Sequence, residues 1–217
     1  MRVAIAGGHG KIALILTRLL VERGDEVRSL VRNPEHASDV EDAGAQPVVC
    51  NLESANADEV AGAVGIADGV VFAAGAGPGS GPERKESIDY GGAVKLIEAA
   101  KADGVGRYLM VSSIGADSGA EGNDAFSVYL RAKGRADAEL AESGLDYTIV
   151  RPVRLTDDPG TGRVELGESV SRGQISREDV ALVLAESLAA AMTVGRTFEV
   201  SSGDAPVREA VAALGGG

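Results

Sequence analysis

The chain has 217 residues, 44% of them hydrophobic and 25% charged, which suits one globular domain with a substantial core. A formal net charge of −12 argues against nucleic acid and anionic membrane surfaces as partners, because both need a basic patch. A single cysteine, Cys50, excludes an intramolecular disulfide and a cysteine-rich metal site.

Short apolar runs alternate with helix-like stretches from the start. "RVAIAG" (2–7) reads as a strand, too short in its apolar part for a signal peptide, so a cytoplasmic protein is expected. A helix with apolar residues at helical spacing follows over 11–23 and stops at Gly24. "EVRSLVR" (26–32) is a second strand, and Pro34 opens a helix-like stretch that ends near Gly44. "QPVVCNL" (46–52) is a third strand, followed by a short acidic helix over 57–64. "GVVFAAG" (69–75), "RYLMVSS" (107–113) and "DYTIVRP" (146–152) complete the set, with helices over 83–102 and 126–142 between them. Strands this continuously apolar, separated by helices, predict an α/β fold with a doubly wound parallel sheet, whose ligand lies at the carboxyl ends of the strands. After Pro152 the pattern breaks. Residues 153–176 are turn-rich and read as a small substrate cap within a single domain spanning 1–217. A helix over 177–191, the strand "RTFEVSS" (196–202) and a last helix running into glycines close the chain.

"AGGHGKIA" (6–13) joins the first strand to the first helix and carries Gly7, Gly10 and Ala13 in the spacing G-x-x-G-x-x-A. Gly7 permits the tight turn, Gly10 lets backbone approach a pyrophosphate, and Ala13 allows close helix–strand packing. Lys11 and Ile12 begin the helix whose free N–H groups would face the phosphates, with His9 and Lys11 adding positive charge. The second strand ends in Arg32, where a basic residue would receive a 2′-phosphate, while Asp25 and Glu26 lie at its other end. NADP is therefore favoured over NAD, the competing reading of Arg32 being a surface arginine that closes a strand. Asn51 and Leu52 end the third strand where an adenine edge would lie, although asparagine also ends strands for turn reasons. Ala73, Ala74 and Gly75 are small enough to let a dinucleotide cross the edge of the sheet.

"VSS" (111–113) ends the fifth strand and "YLRAK" (129–133) lies on the next helix. Tyr129 and Lys133 are one turn apart on one face, where a lysine ammonium would stabilise a tyrosinate. The phenol could then give or take a proton at a carbonyl or alcohol, with Ser113 orienting the substrate. For whichever of Ser112 and Ser113 is not used in this way, strand-end capping is the expected role. A packing tyrosine and an exposed lysine are the plain alternative for the other two.

These residues together resemble the short-chain dehydrogenase/reductase superfamily. More closely, they are similar to its small atypical NAD(P)H-binding branch, related to NmrA-like proteins and flavin- or biliverdin-type reductases. The likeness runs over nearly the whole chain, through "GGHGKIA", "LVRNP", "DYGGAVKLIEAA", "YLMVSSIGAD", "YLRAKGRADAEL", "SGLDYTIVRP", "LTDDPGTG" and "ISREDVA". It implies a Rossmann fold with Gly7, Gly10, Lys11 and Arg32 on NADP. Ser113 and Tyr129 would flank the substrate, Lys133 would hold the nicotinamide ribose, and Arg151 and Pro152 would border the nicotinamide. Ala13 stands where a third glycine is usual, Asn51 where aspartate is common, and Val153 where glycine usually follows the proline.

Three functions remain open on this reading. The first is an NADP(H)-dependent oxidoreductase acting on a small carbonyl, quinone or flavin-like substrate, as a monomer or homodimer. The second is a non-catalytic sensor of the NADPH/NADP ratio. The third is an epimerase or dehydratase with tightly held NAD, against which Arg32 and the short cap both argue.

Overall fold

In the computed structural model, which describes residues 1–77 and 79–215, the apolar runs assemble into a nine-stranded sheet with helices on both faces. The strands are β1 (Arg2–Ala6), β2 (Glu26–Val31), β3 (Gln46–Val49), β4 (Gly69–Phe72), β5 (Arg107–Val111), β6 (Asp146–Pro152), β7 (Arg154–Thr156), β8 (Arg163–Gly167), β9 (Gln174–Ser176), β10 (Arg196–Ser202) and β11 (Ala205–Pro206). The sheet order is β11-β8-β10-β6-β5-β4-β1-β2-β3. All pairings from β3 across to β10 are parallel. The doubly wound α/β fold expected from the sequence is therefore present, and β1 is flanked by β2 on one side and β4 on the other. The connections reverse direction there, opening a crevice at the strands' carboxyl ends.

The apolar continuity of the strands has a direct cause: both faces are covered. Val71, Leu109 and Val150 pack on one face with Leu16 and Leu20 of α1 (Lys11–Glu22). Their neighbours Val70, Phe72, Tyr108, Met110 and Ile149 pack on the other. The helices between are α2 (Ala37–Asp42), α3 (Ala57–Val64), α4 (Pro82–Arg84), α5 (Ala93–Ala102) and α6 (Ala125–Glu142). α7 (Arg177–Ala189) and α8 (Val207–Ala213) follow, and Val180 and Leu184 of α7 complete the first core.

Six expected boundaries change, four at strand ends and two in helices. β2, β3, β4 and β5 end at Val31, Val49, Phe72 and Val111, so Arg32, Asn51, Leu52, Ala73, Ala74, Gly75, Ser112 and Ser113 lie in loops beyond the ladder. That is where a ligand at the sheet's carboxyl edge would meet them. The single helix expected over 83–102 is α4, a π-helical segment Lys85–Gly92 and then α5. The helix expected over 177–191 ends at Ala189. The terminal Gly216 and Gly217, into which the last helix was expected to run, lie outside the described residues.

The expected cap is only partly separate from the sheet. β7 and β9 form a two-stranded parallel ribbon, but β8 joins the main sheet antiparallel to β10, with Val164 fully buried. A segment rich in turns still supplied one alternating strand that could bury its apolar side against the existing core.

Candidate cofactor and substrate site

The β1–α1 turn fixes the first part of the site. Gly7 has φ of +82°, and a Cβ at that position would lie 2.6 Å from Ala74 Cα. Both the left-handed backbone and the close approach of the loop after β4 require glycine here. Side chains of Asn56, Asp124 and Ser176 cap α3, α6 and α7, but no side chain caps α1. Its first-turn N–H groups are thus left without a side-chain acceptor, as an anion-binding helix end requires.

Gly7, Gly10, Arg32, Asn51, Leu52, Ala73, Ala74 and Gly75 all line one cleft of about 360 Å³ at the carboxyl ends of β1 to β4. His9, His36, Cys50, Arg84 and Ile88 line it as well. At its β2–β3 end two guanidiniums share one carboxylate: Glu53 Oε2 lies 3.5 Å from Arg32 Nη1 and 3.4 Å from Arg84 Nη2. The imidazoles of His9 and His36 stack with centroids 3.7 Å apart, and His9 Nε2 lies 2.7 Å from Asp39 Oδ2. Asn51 Oδ1 accepts the Glu53 N–H at 3.1 Å, so the turn role weighed for this asparagine is the one its oxygen performs. Burial pushes the Cys50 thiol up from its ordinary value, with Glu59 adding to the shift.

Other expected residues go elsewhere. Lys11 does not line the cleft. Its ammonium pairs with Asp157 at 2.5 Å in a separate hollow bounded by Arg177, and it holds the Asp157 carboxyl below the usual range. In an acidic chain the 156–158 turn offers a carboxylate within reach, and the lysine takes it. Ile12 is half-buried and packs against the core, and Pro152 is buried, its carbonyl accepting the Ile114 N–H.

Lys133 is buried rather than exposed. Its Nζ donates to the Val111 carbonyl at 3.0 Å and lies 3.4 Å from Asp89 Oδ1. Among the described residues it makes no hydrogen bond to Tyr129, so the expected ammonium–phenol pairing is absent. The cation over the Tyr129 ring is Lys85, 5.2 Å from the centroid. Tyr129 is half-buried beside the 79–81 loop.

The two serines have different partners, and the strand-end capping expected for the one not used does not describe Ser112, whose hydroxyl goes to a side-chain carboxylate. Ser112 is 3% exposed and donates to Asp137 Oδ2 at 2.8 Å, while Ser113 is half-buried with its hydroxyl on the Ile114 carbonyl at 3.2 Å. Arg151 closes the same network through Nε and Nη2, each 2.9 Å from Asp137 Oδ2. That network ties α6 to β5 and β6.

The fold, the glycine turn and the cleft now stand together, and residues 7–191 match the model of a family described as NAD(P)H-binding. The chain belongs to this NAD(P)H-binding family. A Bacillus subtilis relative, the uncharacterised sugar epimerase YhfK, is 39% identical over 215 residues, covering 99% of this chain and all of the relative. A Bacillus halodurans structure, provisionally named an NAD-dependent epimerase/dehydratase, superposes with a TM-score of 0.90 at 41% identity over 98% of this chain and 99% of that one. The oxidoreductase ylbE of Lactococcus lactis gives 0.86 at 25% identity, covering 99% and 96%. The resemblance to the atypical short-chain dehydrogenase/reductase branch is borne out at the level of family and fold.

Arg84, Asp89 and Asp137 were missed in the sequence. Each carried a signal. Arg84 follows the loop after the fourth strand, at the ligand edge of the sheet. Asp89 and Asp137 are acids on helix faces otherwise set by Ile88, Ala93, Ala136 and Leu140, and a charge in an apolar register marks either a partner or a site.

Proposed function

We propose that the chain binds NADPH and transfers hydride to a small carbonyl, quinone or flavin-like substrate. The observation that carries the NADP preference is the pair Arg32 and Arg84 on Glu53 at the end of the cleft where the adenosine ribose would lie. Two guanidiniums with one carboxylate leave a net positive charge there, and a 2′-phosphate would satisfy it bidentately. The residues fit the group: Gly7 gives backbone the approach, α1 offers uncapped N–H groups, and Ala73 to Gly75 keep the crossing point small.

When bound, the nicotinamide supplies or accepts a hydride. The chain's own residues then handle the proton and the pose. Tyr129 gives a proton to the substrate oxygen, Ser113 orients that oxygen, and Lys133 with Asp89 fixes the edge of the site beside Gly75 rather than acting on the phenol. No helix among the described residues is long and apolar enough to cross a membrane. We read the protein as cytoplasmic, a monomer or homodimer acting on a small molecule.

The epimerase or dehydratase reading has one thing in its favour, its likeness to the Bacillus subtilis sugar epimerase YhfK and the Bacillus halodurans epimerase/dehydratase. A thermal-shift titration with NADP, NADPH, NAD and NADH separates the two, since a ligand that binds only the native state raises its stability. A larger shift with the phosphorylated pair, followed by NADPH oxidation on a carbonyl and quinone panel, supports the proposal. A preference for NAD favours the epimerase reading, and tight NADPH binding without any turnover favours the sensor.

A further inference from the structure

A second pocket, of about 310 Å³, lies between the first turns of α6 and the 153–176 segment, and it shares no lining residue with the cofactor cleft. Its walls are apolar: Ile114, Leu130 and Val153, with the Phe126 ring 65% exposed beside them. Its rim carries Arg154, which opens β7, and Arg172, from the turn before β9. We infer that this pocket takes a small apolar molecule bearing an anionic head, a carboxylate or phosphate, as the hydride-transfer substrate. The inference rests on the proposed reading of the cofactor cleft.

Position ties the pocket to the chemistry. Phe126 and Leu130 are one helical turn apart, with Tyr129 between them in sequence and its ring centroid 6.3 Å from that of Phe126. On the other wall, the Ile114 carbonyl receives the Ser113 hydroxyl. Ser113 and Tyr129 thus adjoin the lining residues Ile114 and Leu130 in sequence, and Phe126 is shared between this pocket and the hollow that Tyr129 lines.

Charge defines the head group. Elsewhere at the edge of the sheet the guanidiniums are matched: Arg32 and Arg84 by Glu53, Arg151 by Asp137, and Arg177 by Asp157. Among the described residues, the side chains of Arg154 and Arg172 have neither an ion-pair nor a hydrogen-bond partner, and both residues are exposed. Two carboxylates near the turn before β9 bond backbone rather than guanidinium, Glu199 accepting the Val170 N–H at 3.1 Å and Glu165 the Ser171 N–H at 3.2 Å, so neither is ion-paired with Arg154 or Arg172. Two unmatched guanidiniums facing apolar walls, in a chain of net charge −12, form a local cationic site on an otherwise acidic protein. Guanidinium geometry favours planar, bidentate acceptors.

Calorimetric titration of the full chain, saturated with NADP, tests this with three matched probes: naphthoate, naphthyl phosphate and neutral naphthamide. One-site binding is expected, with at least one anion about tenfold tighter than the amide, as a charge-assisted bond supplies. The paired substitutions Arg154→Gln and Arg172→Gln should erase that discrimination and leave the amide and NADP affinities unchanged. Arg154→Lys with Arg172→Lys should restore part of it, and Phe126→Ala should weaken all three probes. Equal affinity for charged and neutral probes, or anion affinity that survives the glutamine pair, overturns the inference while leaving the cofactor reading intact. Charge discrimination without any NADP binding has the opposite meaning: the anion pocket stands and the hydride-transfer reading falls.

Discussion

Lys133 Nζ lies 3.4 Å from Asp89 Oδ1, and the two side chains are only 4% and 1% exposed. The acid comes from the π-helical turn after β4 and the base from α6, so the pair joins two elements at the ligand edge of the sheet. π-Helical turns are rare and concentrate at functional sites. Removing one partner leaves a buried charge uncompensated, which costs about 3–5 kcal/mol. Lys133→Met should therefore destabilise strongly in denaturant titration. The double variant Lys133→Met with Asp89→Leu should recover most of the loss, and strict additivity of the two single effects would show that the pair is not coupled.

The adenosine end supplies a test of cofactor choice. On the proposed reading, Glu53→Gln should tighten NADPH and barely move NADH, because the carboxylate near Arg32 and Arg84 would compete with a 2′-phosphate for them. Arg84→Ala should weaken NADPH about tenfold, a loss of about 1.4 kcal/mol for one charge-assisted contact. Fluorescence titration of both reduced cofactors reads these changes directly.

Tyr129→Phe removes only a hydroxyl from a half-buried ring at the 79–81 loop. Turnover should fall by about a hundredfold or more, the scale of a lost general acid, with NADPH affinity unchanged. Steady-state rates beside cofactor titration check it, and equal activity in the variant would remove the assignment.

Burial pushes the Asp137 carboxyl above its ordinary value, against the pull of Ser112 and Arg151. The folded state then holds the proton more tightly than the unfolded chain. The contribution of this group to stability is therefore greatest below the unfolded value of about 3.9 and declines as pH rises through the folded value. Asp137→Asn lacks that component. Wild-type stability minus variant stability should fall with rising pH just above about pH 4, as measured by urea titration at stepped pH. Asp68 has the opposite sign. Held to about 2 by the hydrogen bond from Arg2, it contributes above the usual carboxylate range and loses that contribution as pH falls toward the folded value.

Gly134 sits in mid-helix beside Lys133, where alanine would ordinarily stabilise by about 1 kcal/mol. Here a Cβ would lie 2.2 Å from Ser118 N and 2.3 Å from the Asp117 carbonyl carbon. The loop after β5 packs backbone-on-backbone against α6, so Gly134→Ala should lower the melting temperature despite the better propensity.

Sequence alone determined the doubly wound sheet, because apolar runs that alternate with amphipathic helices can bury both strand faces in few other ways. It also determined the glycine turn between β1 and α1, since strand, Gly7, Gly10 and helix are contiguous and their geometry is local. The lining of the cleft at the carboxyl ends of β1 to β4 followed from one rule, that ligands meet the carboxyl ends of such strands. Tertiary structure decided the partners of the charged side chains. Lys133 shares a helix face with Tyr129, yet its ammonium turns to Asp89, because a buried charge goes to the carboxylate that compensates it. Lys11 goes to Asp157 and Arg84 joins Arg32 on Glu53 for the same reason. Each of these pairs joins residues far apart in the chain, and no local periodicity encodes which distant carboxylate a long, flexible cation will find.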